Sequence, residues 1–368
     1  MFAPRIRDPG PAHRLSDNEL AWIRRVTPIT EHYCQIIRQR DYRGKKLACW
    51  MHITENSVPM LLALAESGAE IVVGTCNTES TNDAAAAYLA EHGVTILAWR
   101  GMTRADYDEH KRIVRAFEAD YLCDMGGELS LAYTDRLPPV KGALEATTSG
   151  LNHLHGQNLP FPVLDWNSIP LKDHIENRFH VGNEVWPVFT DVTSMSLYRR
   201  SILVVGYGPV GKGIAERARA LGATVCVADV DSVRLVEAQH HGCIPVPITD
   251  GIMRCSIVVT ATGRDGVIGE SHLKSARSGT LFFNAGHSSR EIDTDWLYQQ
   301  PHQSLRQSIE EFYLGETSIL LLAKGNLLNL AARTSGGPMD LFDLYTAVML
   351  RGIAWMFEGG ADRAQPSL

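Results

Sequence analysis

The segment Ser201–Asp231, SILVVGYGPVGKGIAERARALGATVCVADVD, places three glycines and a carboxylate at spacings that can bind phosphate and ribose. Gly206 allows a tight turn after an apolar strand. Gly208 lets backbone approach a pyrophosphate, and Gly211 lets the following helix pack close to the strand. Pro209 and Val210 open that helix, whose N-terminal N–H groups point at an anion. Asp229 ends the next strand, where a carboxylate accepts from an adenosine ribose and repels a 2'-phosphate. The cofactor expected is therefore NAD rather than NADP. Gly206 to Lys212 also fits G-x-x-x-x-G-K, but Gly213 stands where a P-loop needs a magnesium-binding Ser or Thr, so that reading is rejected.

Three polar clusters lie at expected strand ends or in polar loops: Trp50 to Ser57, Thr147 to Asn152 with Lys172 to Asn177, and Asn284 to His287. Each has a plainer explanation. His52 can be a hydrogen-bonded core histidine, Thr147, Thr148 and Ser149 can cap a helix, and Lys172 can be a solvated cation. His287 follows a glycine turn after a buried strand, a position that commonly faces ligand. His153 and His155 are two apart and point to different faces of a helix, so no metal site is expected.

The elements that must hold these residues read as α/β throughout. A capping box at Ser16 and Glu19 starts a helix expected to run to about Arg38. Apolar runs then end at His52, Thr75, Trp99 and Asp124, with helical periodicity over Thr81 to Glu91 and Arg104 to Phe117 between them. In a parallel sheet, ligands bind beyond the carboxyl ends of the strands, so His52, Cys76–Asn77 and Asp124 should share one rim. Thr262 and Asn284 to His287 should share the corresponding rim of the nucleotide sheet. Two α/β domains facing each other across a cleft are expected: 1–184 for substrate and 185–336 as a Rossmann domain, with 337–368 returning to the first. Trp186 to Tyr198 is read as the connecting helix, Gly336-Gly337-Pro338 as the return hinge and Met339 to Phe357 as the last helix.

Composition narrows the class. The chain has 368 residues, enough for two cores, and a formal net charge of -7 with its basic residues scattered, which argues against a nucleic-acid partner. No apolar run approaches membrane-spanning length and the N-terminus lacks a secretory pattern, so a cytoplasmic protein with no membrane partner is expected. Seven dispersed cysteines without a C-x-x-C pair predict neither disulfides nor a zinc site.

From about Arg43 to Trp355 the chain resembles the S-adenosylhomocysteine hydrolase family. The motifs are MHITENSV, GAEIVVGTCNTESTNDAAAA, Gly126-Gly127, EATTSG, VVGYGPVGKG, DVD, TATG, FNAGH, EIDTDWL and LLAKGNLLNLA. The resemblance implies a bound NAD that oxidises the 3'-carbon of a nucleoside, so that the 4'-proton becomes acidic and the 5'-substituent is eliminated. Water then adds and the hydride returns. By position it implies that His52 and His287 act near the 5'-carbon and Lys172 beside the 3'-oxygen, with Glu176 and Asn177 holding the sugar hydroxyls. It further implies Thr54 at the base pocket, Thr147, Thr148 and Ser149 on the nicotinamide side, and Asn329 near the carboxamide.

The departures from that pattern carry as much information. Met125 stands in place of a catalytic aspartate, with Asp124 immediately before it as the nearest carboxylate. Ala146 replaces a glutamate that binds sugar hydroxyls, Asn56 a glutamate that reads the base, and Gly336 or Gly337 a histidine that closes over the substrate. Val181 lies near a family cysteine, and the chain ends at Leu368 short of a tail that reaches a neighbouring subunit's NAD. Looser NAD is expected unless Asp340, Asp343 or Tyr345 caps it. A homo-oligomer, dimer or tetramer, is implied by the resemblance. The retained redox residues and altered substrate contacts favour a nucleoside dehydratase or lyase that releases the alkene, the type of activity expected in specialised nucleoside biosynthesis. True S-adenosylhomocysteine hydrolysis and an NAD- and nucleoside-binding pseudoenzyme are the alternatives.

Overall fold

The computed structural model describes residues 3–10, 14–332 and 337–363. The chain divides into two compact units, Met1–Ile169 with Thr334–Leu368, and Pro170–Arg333.

In the first unit six short apolar strands form one all-parallel sheet: β1 Lys46–Trp50, β2 Glu70–Gly74, β3 Thr95–Leu97, β4 Tyr121–Asp124, β5 Gly142–Glu145 and β6 Val163–Asp165. Their order is β3-β2-β1-β4-β5-β6. All but the edge strand β6 are almost wholly buried because helices cover both faces, which is why they read as continuous apolar runs. The order reverses between β1 and β4, and at that switch point the segments after Trp50 and Asp124 emerge side by side, since Trp50 pairs with Asp124 in register.

The expected single helix from Ser16 to Arg38 is two helices, Asp17–Val26 and Pro28–Arg38. Pro28 lacks the N–H that would continue the ladder, and Thr27 takes φ -122° and ψ 61° at the break. Asp343, from the last helix Met339–Phe357, caps the second piece: its carboxylate accepts from Ile29 N at 2.9 Å and Thr30 N at 2.7 Å. Asp343 is thus engaged in packing the last helix onto the second. Gly336, half of the expected hinge and one of two positions aligned with the missing histidine, lies outside the described residues; Gly337 is buried.

The second unit carries β7 Ser201–Val205, β8 Thr224–Ala228, β9 Ile244–Pro245, β10 Ile257–Thr260, β11 Thr280–Asn284, β12 His302–Arg306, β13 Ile309–Leu314 and β14 Thr317–Leu322. The sheet order is β12-β13-β14-β11-β10-β7-β8-β9. From β9 to β14 every pairing is parallel, and a hairpin of β12 and β13 adds an antiparallel edge that sequence reasoning did not anticipate. This is a Rossmann sheet extended at one side.

The boundary between units falls at Ile169/Pro170, not at 184. The segment 170–184 belongs to the nucleotide unit because it is the first half of a helix that packs on Pro209–Ala220. Leu171–Val181 is a π-helix that continues as an α-helix over Gly182–Thr193, so the helix expected from Trp186 begins fifteen residues earlier (186 - 171).

Candidate active site

The nucleotide site is built by the sheet's own switch point, between β7 and β10. Gly206 takes φ +94°, and a Cβ there would lie 2.7 Å from the carbonyl oxygen of Ala261 at the end of the neighbouring strand. A Cβ on Gly211 would lie 1.9 Å from the Gly206 carbonyl oxygen, so the helix can start only with hydrogen at that position. Gly208 is extended and open, with only the Arg234 guanidinium within 4 Å of where a Cβ would be. These three observations fit a pyrophosphate seated on backbone N–H groups at the start of Pro209–Ala220, with Pro209 and Val210 in its first turn.

Asp229 sits one residue beyond β8 and accepts from Tyr207 N at 2.6 Å and Asp231 N at 2.9 Å. Those bonds fix the carboxylate beside the glycine turn and leave its remaining lone pairs for ribose hydroxyls. The residues present fit NAD.

Two polar residues expected at the cofactor prove to shape the rim. Asn284 is fully buried and accepts from Gly286 N at 2.8 Å while donating to Gly286 O at 2.9 Å and Ser288 O at 2.7 Å, which organises the loop carrying His287. Thr262 donates both N–H and O–H to the Glu291 carboxylate at 2.9 and 2.7 Å, and Gly263 N donates at 2.7 Å. Burial raises the Glu291 pKa, opposed by those hydrogen bonds. The Gly286 Cβ position is 1.7 Å from Glu291 Oε1, so this carboxylate joins two strand-end loops at close contact. Asn329, also buried, donates to Glu184 Oε2 at 3.2 Å. Sequence reasoning assigned no role to Glu291 or Glu184, although Glu291 opens the EIDTDWL motif.

The π-helix brings Lys172, Glu176 and Asn177 together. Lys172 Nζ pairs with Glu176 Oε2, and both Glu176 and Asn177 are buried. A π-helix advances about 80° per residue against about 100° in an α-helix, so Lys172 and Asn177 lie about 40° apart rather than about 140°. All three share a face only in this geometry. π-Segments recur at functional sites because they re-aim side chains at a cost in backbone regularity.

In the first unit, His52 follows β1 and its Nδ1 is 2.7 Å from Ser80 Oγ, which itself donates to Asn77 O at 2.9 Å. The Asn77 side chain accepts from Glu79 N at 2.9 Å and caps a short turn. Asn56 lies on the turn Glu55–Ser57 beside it, with Thr54 as the N-cap, and Asn56 Oδ1 is buried with no hydrogen bond among the described residues.

Asp124 closes β4 completely buried, and its Oδ2 accepts from Ser130 N at 2.7 Å. Glu145, in register beside it on β5, accepts from Gly126 N, Gly127 N and Thr147 N at 3.1, 2.9 and 2.7 Å and from Thr147 Oγ1 at 2.6 Å. Burial pushes Asp124 up to about 6, and burial followed by the Asp124 charge pushes Glu145 up to about 8. A Cβ on Gly150 would lie 2.2 Å from the Glu145 carboxyl carbon. Glu145 therefore fastens the turn after β4 to the start of the next helix. It heads the quoted EATTSG motif but was not singled out from sequence.

The next residues on these two strands, Met125 and Ala146, are both buried in the apolar core cluster and adjacent, Ala146 N donating to Asp124 O at 3.1 Å. Where the family pattern has two acids, these two positions are apolar, each next in the chain to a buried carboxyl, Asp124 or Glu145. Thr147 Oγ1 accepts from Gly150 N at 3.0 Å, so it does cap the helix Thr148–Leu154. Thr148 accepts from Asn167 Nδ2 at 3.0 Å, and Ser149 Oγ is 3.3 Å from Thr147 Oγ1. His153 bonds the Gly126 carbonyl through Nδ1 at 2.9 Å, a structural contact. All seven cysteines are free.

A glycine cradle with its ribose carboxylate, carried on a Rossmann sheet in one chain with a second parallel α/β unit, defines an NAD-dependent enzyme of two α/β units. Family models match over both: "S-adenosyl-L-homocysteine hydrolase, NAD binding domain" over residues 188–335 and "S-adenosyl-L-homocysteine hydrolase" over residues 27–153. The chain belongs to the S-adenosyl-L-homocysteine hydrolase family. Among its relatives, the S-inosyl-L-homocysteine hydrolase of Methanothermobacter thermautotrophicus is 31% identical over 345 residues, covering 90% of this chain and 83% of the relative. That of Methanopyrus kandleri is 31% identical over 370 residues, covering 97% and 87%. The adenosylhomocysteinase of Sulfurisphaera tokodaii is 31% identical over 333 residues, covering 88% and 80%. Among the described residues no helix is long and apolar enough to cross a membrane.

Proposed function

We propose that this enzyme oxidises a nucleoside at its 3'-position, removes the 4'-proton, expels the 5'-substituent and reduces the product back, releasing the 5'-alkene as a nucleoside dehydratase or lyase. Bound NAD supplies the reversible removal of hydride from the 3'-carbon. The Lys172 ammonium, held by Glu176, lowers the cost of negative charge on the 3'-oxygen, and Glu176 with Asn177 orients the hydroxyls. His52 and His287 are the residues assigned to proton transfer at the 5'-carbon. A departing hydroxide needs a proton, and imidazole titrates in the working range. His52 is braced for this by Ser80, whose Oγ lies 2.7 Å from its Nδ1 and fixes the ring.

The observation that carries the reading is the apolar pair Met125 and Ala146 at adjacent strand ends. Without a carboxylate at either place, no acid side chain from these two positions can activate water for addition to the alkene. The small Ala146 side chain also leaves room beside the sugar for an extra substituent.

Incubation of the holoenzyme with candidate nucleosides and mass spectrometry tests this: the expected product is lighter by one water. A second reading, hydrolysis of a nucleosyl-homocysteine thioether, is favoured by the activities for which the relatives are named. Release of homocysteine with formation of the intact nucleoside would establish it instead.

A further inference from the structure

The GYGPVGKG motif contains a fourth glycine that the phosphate cradle does not use. Gly213 lies in the second turn of Pro209–Ala220, and a Cβ there would be 1.8 Å from the Arg178 carbonyl oxygen and 3.1 Å from Gly182 Cα. Reciprocally, a Cβ on Gly182 would be 2.6 Å from Gly213 Cα and 2.9 Å from Ile214 N. The two helices therefore touch backbone to backbone at this point. Arg178 is paired to Glu216 one turn further along the nucleotide helix, with Nε 3.3 Å from Glu216 Oε2, and Trp186 Nε1 donates to Ile214 O at 2.9 Å.

The place of this contact matters more than its closeness. Gly182 is the residue at which π-geometry gives way to α-geometry. Arg178, whose carbonyl faces Gly213, follows directly on Asn177, the residue that only the π-register brings onto the face of Lys172 and Glu176. Any side chain at Gly213 must push this carbonyl away, and a backbone clash cannot be relieved by a rotamer change.

We propose that Gly213 and Gly182 are positioning residues: their contact locks the π-register of Leu171–Val181, so that the helix seated by NAD also sets Lys172, Glu176 and Asn177 on one face. The functional weight of this rests on the reading that those three handle the substrate sugar. The mechanical claim stands without any substrate. Binding at the N-terminus of Pro209–Ala220 orders that helix, and the backbone contact passes the order to the π-helix.

The test is amide hydrogen exchange over residues 172–181 in the full chain, stripped of NAD and saturated with it, alongside NAD affinity by fluorescence titration. In the wild type, NAD is expected to slow exchange there at least about tenfold. Gly213→Ala is expected to bind NAD within about threefold of wild type and to keep less than about threefold of that protection. Should that variant not fold, Gly182→Ala, which crowds the same contact from the other helix, replaces it; loss of NAD-dependent protection there, with affinity kept, has the same meaning. A merely structural role would lower Tm and leave the response to NAD in place. Wild-type protection in the variants, or no effect of NAD on this segment in the wild type, overturns the proposal. No substrate enters either readout, so an error in the assigned reaction leaves this result standing.

Discussion

Glu145→Gln separates the charge of the buried carboxyl from its shape. Folding raises the Glu145 pKa from 4.5 to about 8, through burial first and the Asp124 charge second. A carboxyl that holds its proton more tightly when folded adds no pH term below the unfolded pKa, where both states are protonated. As pH rises from about 4.5 to about 8 the unfolded chain ionises while the folded one does not, and stability falls. Each pKa unit corresponds to about 1.4 kcal/mol, so the whole window has a ceiling of roughly 5 kcal/mol, and Asp124, raised in the same direction to about 6, contributes below that pH. We expect the first unit to lose roughly 2–4 kcal/mol between pH 5 and 8.5.

Glutamine keeps the acceptor oxygen but turns an N–H2 toward one of the donors from Gly126, Gly127 or Thr147, a pH-independent cost of about 1–3 kcal/mol. The variant should be less stable than wild type at pH 5. Its slope with pH should be less than about half as steep, because only Asp124 remains, held up chiefly by its burial. Urea unfolding followed by tryptophan fluorescence at pH 5, 7 and 8.5 measures both quantities, with Trp50 fully buried beside this pair of strands. Parallel curves for the two proteins would refute the idea that Glu145 is a protonated staple.

Two further expectations concern the nucleotide unit. Lys172→Met should retain NAD but slow substrate-dependent formation of NADH absorbance by about 10²–10³, since it removes the cation next to the developing oxyanion; an unchanged rate in a single-turnover experiment would remove Lys172 from the oxidation step, and no reduction in the wild type with any nucleoside would favour a binding protein without turnover. Asp229→Ala deletes the ribose acceptor and frees Tyr207 N and Asp231 N, so the NAD Kd should rise about 10- to 100-fold by titration calorimetry; an unchanged Kd would mean that the ribose is held elsewhere.

Much of the architecture was legible because it is local. The strand ends read at His52, Thr75, Trp99 and Asp124 fall within two residues of the observed ends at Trp50, Gly74, Leu97 and Asp124, since apolar runs of this length can be buried only as strands of a covered sheet. The glycine cradle is similarly self-contained: Gly211 meets the turn and strand just before it, Gly206 meets the adjacent strand end, and Gly208 is open but for the Arg234 guanidinium. The break at Thr27 is signalled by Pro28, whereas the capping box at Ser16 and Glu19 marks only where the first helix starts.

What chain order alone determined, then, is the identity of the cofactor site and the alternation of strands and helices, because propensity, periodicity and turn chemistry act over a few residues. Only the tertiary structure showed that Leu171–Val181 winds as a π-helix, with the Gly213 backbone of a helix later in the chain pressed against its Arg178 carbonyl. Packing likewise decided that Glu145 and Glu291 are buried staples: a carboxylate becomes one when distant loops bring N–H groups to it, and no spacing along the chain encodes that encounter.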